Sequence, residues 1–167
     1  MKHRKDQKDQ KDQKERALPM KSRLQIAGHP IHTMVVGLPI GLYTLAFICD
    51  VAFMMLSDSF WFRMAFWTLV FGVVFHLVAA MTGIPDYLAV IRMKTDARRV
   101  AHSHLIFGIT LLVIQGLNLG VRNGGVLPID GSITFPFMVN LIAVAVLSLQ
   151  VWYGGELVYR HKIGIDE

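Results

Sequence analysis

One cysteine, Cys49, stands among 167 residues, and charged residues make up only 17% of the chain. A lone cysteine excludes an internal disulfide and any thiolate cage for zinc or an iron–sulfur cluster. Its place in an apolar run suits a small packing residue. Also missing are Gly-x-Gly-x-x-Gly, a phosphate loop, His-Glu-x-x-His and Gly-x-Ser-x-Gly, so nucleotide and hydrolase chemistry have no motif to rest on. No small-residue cleavage site follows the basic N-terminal stretch, and the first apolar segment is expected to stay as a membrane anchor. The apolar segments show no paired interruptions, which argues against secondary transport.

What is present is hydrophobic: 53% of residues, with a mean hydropathy of +0.45. Soluble domains carry about a quarter charged residues. Here the charges gather in short segments and leave long gaps. Four apolar segments fill those gaps, at about 31–56, 60–84, 99–121 and 133–155. Each reaches the ~20 residues that cross a hydrocarbon core, and backbone groups in lipid must be satisfied within the segment, so each is read as a helix. The expected fold is all-α, an integral membrane four-helix bundle spanning residues 24–167. Before it, residues 1–23 form a charged tail with the repeat KDQKDQKDQKER. The repeat has no apolar side chain to bury and reads as a solvated extension able to touch anionic lipid.

Lysine and arginine set the orientation. The tail carries nine, the segment Arg92–Arg99 four, and the C-terminal segment Arg160 and Lys162, against Arg63 and Arg122 in the two opposite loops. The positive-inside rule places both termini in the cytoplasm. The basic balance, pI near 9.6, therefore points to membrane topology and anionic lipid rather than nucleic acid. Gly37 with Gly41, Ala79 with Gly83, and Gly116 with Gly120 place small residues four apart, a spacing that lets helices approach. Pro39 is expected to kink the first helix between its glycines.

This topology gathers the histidines. His29 and His32 lie at the inner end of the first span, His76 in the inner half of the second, and His102 and His104 in the first turns of the third. His3 and His161 fall in termini expected to be exposed. His102 and His104 are roughly 200° apart on a helix and cannot both face the bundle. Each histidine taken singly is more often an interfacial or packed side chain. An ionisable residue inside a span, as His76 is, is a functional hypothesis by default. Two imidazoles on separate helices can grip an iron centre from either side, the way helical bundles build cofactor sites. The candidate ligands are His32, His76 and His104, with His29 in reserve, and Arg98 or Arg99 suits haem propionates. Asp86 and Glu156 lie at similar depth as oxygen ligands or imidazole partners, or more simply as ion-pair partners of Arg92, Arg98 or Arg160. Asp50 is expected to be neutralised by Arg63 or Arg122, and Gln115, Asn118 and Asn140 to hydrogen-bond between helices.

The stretches GHPIHTMVVGLPIGLYTLAFICDVA, GIPDYLAV, ARRVAHSHL and GGELVYRHKIG resemble a bacterial membrane family, domain of unknown function 2231, over about Gly28 to Gly164. The resemblance implies a four-helix membrane protein, in some members attached to Rieske-type iron–sulfur domains. The family's opening His-Pro-x-His-Pro departs here at Thr33, and its histidine after the Arg-Arg pair aligns with His104.

The leading expectation is a multi-pass protein of the bacterial inner membrane that binds haem b and transfers electrons, an electron-transfer or oxidoreductase subunit. Its partners would be the lipid bilayer and a quinone or an iron–sulfur protein, with a homo-oligomer open and nucleic acid excluded. Two alternatives stand beside it. One is a non-haem zinc, copper or iron site built from His29, His32, His104 and Asp86 or Glu156; the other is a structural or assembly subunit without a cofactor.

Overall fold

The computed structural model describes residues 20–90, 96–127 and 131–164. The KDQ repeat, His3 and Arg92 lie outside these. A two-residue β-hairpin, β1 (Gln25–Ile26) and β2 (His29–Pro30), leads into α1 (Ile31–Val35), followed by α2 (Gly37–Leu56), α3 (Ser59–Val90), α4 (Asp96–Val121) and α5 (Thr134–Tyr159). α1 with α2, α3, α4 and α5 form four candidate membrane spans. The all-α four-helix membrane bundle expected from sequence is the fold observed.

α2 packs along α3 and α4 along α5, while α3–α4 and α2–α5 contacts close the square. The buried residues of α2 are Pro39, Tyr43, Ala46, Cys49, Asp50 and Phe53, and those of α3 include Ala65, Leu69, Gly72, His76 and Ala79. Both sets recur every three or four positions and mark one helical face. Many are small or polar, whereas Leu, Ile, Met, Phe and Trp side chains stand exposed on the outside. Lipid tails are as apolar as leucine, so the large side chains gain nothing by turning inward. Close approach and hydrogen bonds hold the interior instead.

Three details differ from the sequence expectation. The first span breaks at Val36, and Pro39 lies in the first turn of α2, where its missing N–H removes no helical bond. α3 continues through Pro85 to Val90; at 1.5 Å per residue its 32 residues reach about 48 Å, well beyond a ~30 Å hydrocarbon core. Gly37, Gly41, Gly116 and Gly120 have nothing within 4 Å of a notional Cβ, so these pairs do not bring helices of this chain together.

Met20 and the segment after α5 meet. The Met20 N–H donates to the Lys162 carbonyl at 3.2 Å, and the Gly164 N–H donates to the Met20 carbonyl at 2.7 Å. Residues 20–24 then run as a strap over the end of α3. Ser22 Oγ donates to one oxygen of Asp86 (2.7 Å) and the Arg23 N–H to the other (2.5 Å). Thus Met20–Arg23, read from sequence as tail, belong to the bundle. The strap hands over to the hairpin, whose turn residues Ala27 (φ 50°) and Gly28 (φ 80°) are both left-handed, the geometry a two-residue turn needs to match strand twist. Ile31 N–H donates to the Leu24 carbonyl at 3.0 Å and fixes the start of the first span.

Candidate functional site

Two polar constellations lie inside the bundle. The distal one, at the end of the bundle opposite Met20 and Gly164, is an ion pair with an amide belt. Arg122 donates through Nη1 and Nη2 to both oxygens of Asp50, at 2.9 and 2.6 Å, and both side chains are 0% exposed. Asn140 Nδ2 donates to Asp50 Oδ2 (2.8 Å) and Arg122 Nε to Asn118 Oδ1 (3.1 Å). Gln115 joins the two amides, donating to Asn140 Oδ1 at 3.2 Å and accepting from Asn118 at 3.3 Å. The guanidinium lies over the Phe62 ring, 5.3 Å from its centroid. This belt ties α2, α4 and α5 and stacks on α3. Of the two arginines expected to neutralise Asp50, Arg122 does so, while Arg63 is exposed. Every member of the belt bonds another member, which suits a structural clamp.

The second constellation lies toward the end where Met20 meets Lys162 and Gly164, and contains the histidines. His32, in α1, donates its Nδ1–H to the Ala79 carbonyl of α3 at 2.8 Å. His104, in α4, donates its Nδ1–H to the Gln150 carbonyl of α5 at 3.0 Å. A carbonyl can only accept, so Nδ1 carries the proton in both rings, and in the neutral form Nε2 keeps the lone pair. The two ring centroids are 6.3 Å apart with planes at 89°. Glycines make this possible. A Cβ at Gly83 would stand 2.8 Å from His32 Cε1, and one at Gly154 would stand 3.1 Å from His104 Cε1. Each imidazole occupies the place of a missing side chain.

His76 lies deeper on α3, 6% exposed, with its Nδ1 3.2 Å from the Tyr43 hydroxyl. The Gln150 side chain and His76 both border Gly108: a Cβ there would meet Gln150 Nε2 at 2.9 Å and His76 Nε2 at 3.8 Å. His32 with His104, and His76 with Tyr43, are thus two polar pairs within the bundle, with Gly108 and Gln150 beside the deeper one. Tyr43 and Gln150 were not singled out by sequence reasoning. A tyrosine and a glutamine on apolar segments resemble boundary and packing residues, and only the third dimension places them beside imidazoles.

The other candidates are engaged elsewhere. His29 is exposed on β2 and donates Nδ1–H to the Ala27 carbonyl within its own turn at 3.0 Å. His102 faces α3, with Nδ1 2.7 Å from the Tyr87 hydroxyl. The ~200° that separates it from His104 thus serves two different neighbours. Arg98 and Arg99 are exposed near the start of α4, and Arg98 Nε reaches His102 Nε2 at 3.5 Å. Asp86 holds the strap; of the arginines expected for it, Arg98 reaches His102 and Arg160 pairs with Glu156, while Arg92 lies outside the described residues. Glu156 pairs with Arg160 at 2.7 Å, as expected. His161 is half-buried, and its Nε2 is shielded from solvent with no hydrogen-bond partner among the described residues. Among the described residues, no three or more His, Cys, Asp or Glu side chains are grouped to hold a metal ion.

Comparison with curated proteins and with solved structures gave no match. Residues 28–167 match the family described as predicted membrane protein (DUF2231), which covers both polar constellations and all four spans. The chain belongs to that family of membrane proteins.

Proposed function

We propose that the protein is a membrane redox protein that binds haem b between His32 and His104. The observation that carries this reading is the pair itself: two imidazoles from separate helices, each anchored through Nδ1 to a main-chain carbonyl, which leaves Nε2 as the nitrogen with the lone pair. Metal-ligating histidines characteristically donate their other ring N–H in this way, which fixes tautomer and ring orientation. The spacing fits. Two imidazoles bound to one metal from opposite sides through bonds of about 2 Å have ring centroids about 6 Å apart, against 6.3 Å here. The donor count favours haem over a bare ion, because haem asks only two nitrogens of the protein, whereas a closed non-haem site needs three or four ligands.

In this reading His32 and His104 would hold the iron, and Arg98 and Arg99, exposed near the start of the helix that carries His104, would offer guanidinium groups to the propionates. Haem supplies reversible one-electron chemistry, and the protein sets its potential through ligand identity, burial and hydrogen bonding. His76 with Tyr43 forms the polar lining on the deeper side. The lysine and arginine distribution supports placing both termini, the strap and the histidines on the cytoplasmic side of a bacterial inner membrane. The electron partner would be a quinone or an iron–sulfur protein, in keeping with the Rieske-type domains attached to some family members.

The test is an oxidised-minus-reduced visible spectrum, with elemental analysis, of detergent-purified protein from haem-replete cells. Sharp α and Soret bands, lost in His32→Ala and in His104→Ala and retained in His29→Ala, are the expected result. A colourless protein refutes the haem. Stoichiometric zinc, copper or iron in that colourless sample would move the same histidines to a non-haem site, and no metal would leave a structural bundle.

A further inference from the structure

A groove of about 330 Å³ opens between the strap and the end of α3, lined by Arg23, Pro85, Leu88 and Ala89. Among the described residues its walls are apolar except for Arg23, whose main chain is pinned by Asp86 and whose side chain is exposed. Both Asp86 oxygens are taken by the Ser22 hydroxyl and the Arg23 N–H, and no ion pair to the Arg23 guanidinium is found among the described residues. Pro85 has no N–H, so the Met81 carbonyl one turn earlier lacks its usual helical donor. Below the groove, Leu88, Ile84, Met81 and Leu77 are all exposed. Their 4-3-4 spacing places them on one face of α3, a continuous apolar track from the groove into the bilayer.

We propose that this groove is a binding site for one anionic glycerophospholipid. The Arg23 guanidinium takes the phosphate as a charge-assisted pair, and an acyl chain lies along Leu88, Ile84, Met81 and Leu77. Basic pockets beside transmembrane helices near the membrane surface are suited to such headgroups. A cation at the head of an apolar track matches a molecule with that polarity, and a net-negative headgroup is attracted more strongly than a zwitterionic one, whose ammonium offsets its phosphate. The site is separate from the histidine pair and does not depend on the haem reading.

The experiment is native mass spectrometry of the full chain in detergent, titrated with dioleoylphosphatidylglycerol or dioleoylphosphatidylcholine. The expected result is one retained phosphatidylglycerol in preference to phosphatidylcholine. Arg23→Gln should lower phosphatidylglycerol affinity about fivefold, the worth of one basic residue at an anionic surface. Arg160→Gln, an exposed arginine outside the groove, should leave it unchanged. Equal retention of the two lipids, or an equal loss in Arg23→Gln and Arg160→Gln, would overturn the site. Displacement of the lipid by excess inorganic phosphate alone would overturn the lipid assignment in favour of a free-anion site. Arg23 is exposed, so the variant folds, and an unchanged thermal transition verifies it.

Discussion

Replacing Asp50 by asparagine keeps the shape of the distal clamp and removes its negative charge, and the cost should be large. In the native arrangement Asp50 accepts two bonds from Arg122 and one from Asn140, with neither charged side chain reaching solvent. Asp50→Asn leaves a guanidinium buried without a counter-charge, and breaking a buried pair from one side costs about 3–5 kcal/mol. Arg122→Met should cost a similar ~3–5 kcal/mol. The double variant Asp50→Asn/Arg122→Met buries no charge. It loses mainly amide contacts, worth about 0.6 kcal/mol each within a membrane, and the stack on Phe62. We expect it to be only ~1–2 kcal/mol less stable than the native protein. The two single costs should therefore exceed the double by about 4 kcal/mol or more, far outside the ~0.5 kcal/mol scatter of independent sites. The assay is reversible unfolding in mixed micelles by titration with dodecyl sulfate, followed by the fluorescence of Trp61, Trp67 and Trp152. Additive single and double costs would refute the clamp. So would single costs below ~1 kcal/mol, the range of an exposed pair.

Four smaller perturbations are equally specific. Gly83→Ala forces a methyl to within 2.8 Å of His32 Cε1, so the ring must leave the Ala79 carbonyl; we expect about 1–3 kcal/mol of destabilisation in the same unfolding assay. Gly116→Ala, with open space around its notional Cβ, should stay within about 0.5 kcal/mol and serves as its control. Asp86→Ala removes both anchors of the strap, and limited trypsin digestion should then cut after Arg23 many times faster, with unchanged cleavage refuting the anchoring. Ala27→Gly relieves a left-handed alanine (φ 50°) and should stabilise the hairpin by about 0.5–1 kcal/mol, read as slower amide exchange at Gln25 and Ile26.

The number of spans was legible because hydropathy responds to the bilayer, and the gaps between charged segments are long. Asp50 with Arg122 was legible for a related reason: a charge inside a span must find a partner, and the loops opposite the termini offered only two arginines. Within the histidine group, depth could be read from sequence and direction could not. His29 and His32 are three residues apart, yet a two-residue turn sends one to solvent and the other to α3. Ala79 and Gly83 carried a signal that was read too generally. Their spacing announces a close approach, and what approaches is an imidazole that uses the carbonyl of one and the missing Cβ of the other. The strap was hidden because Met20–Arg23 share the composition of the charged tail. Asp86 selects them by main-chain and hydroxyl donors, which composition does not report.

The pairing of Met20 with Ile163 has a bearing on how the protein is made. It joins the first described segment to one of the last, so it cannot form while the ribosome is still delivering the fourth span. The α2–α3 hairpin and the grip of Asp86 on Ser22 need only the first half of the chain. Assembly thus has an early stage, in which two spans and the strap set His32 against Ala79, and a late stage, in which α4 and α5 bring His104 and then latch the ends together. The two imidazoles thus come to stand 6.3 Å apart only in the late stage, once both halves of the chain are in place.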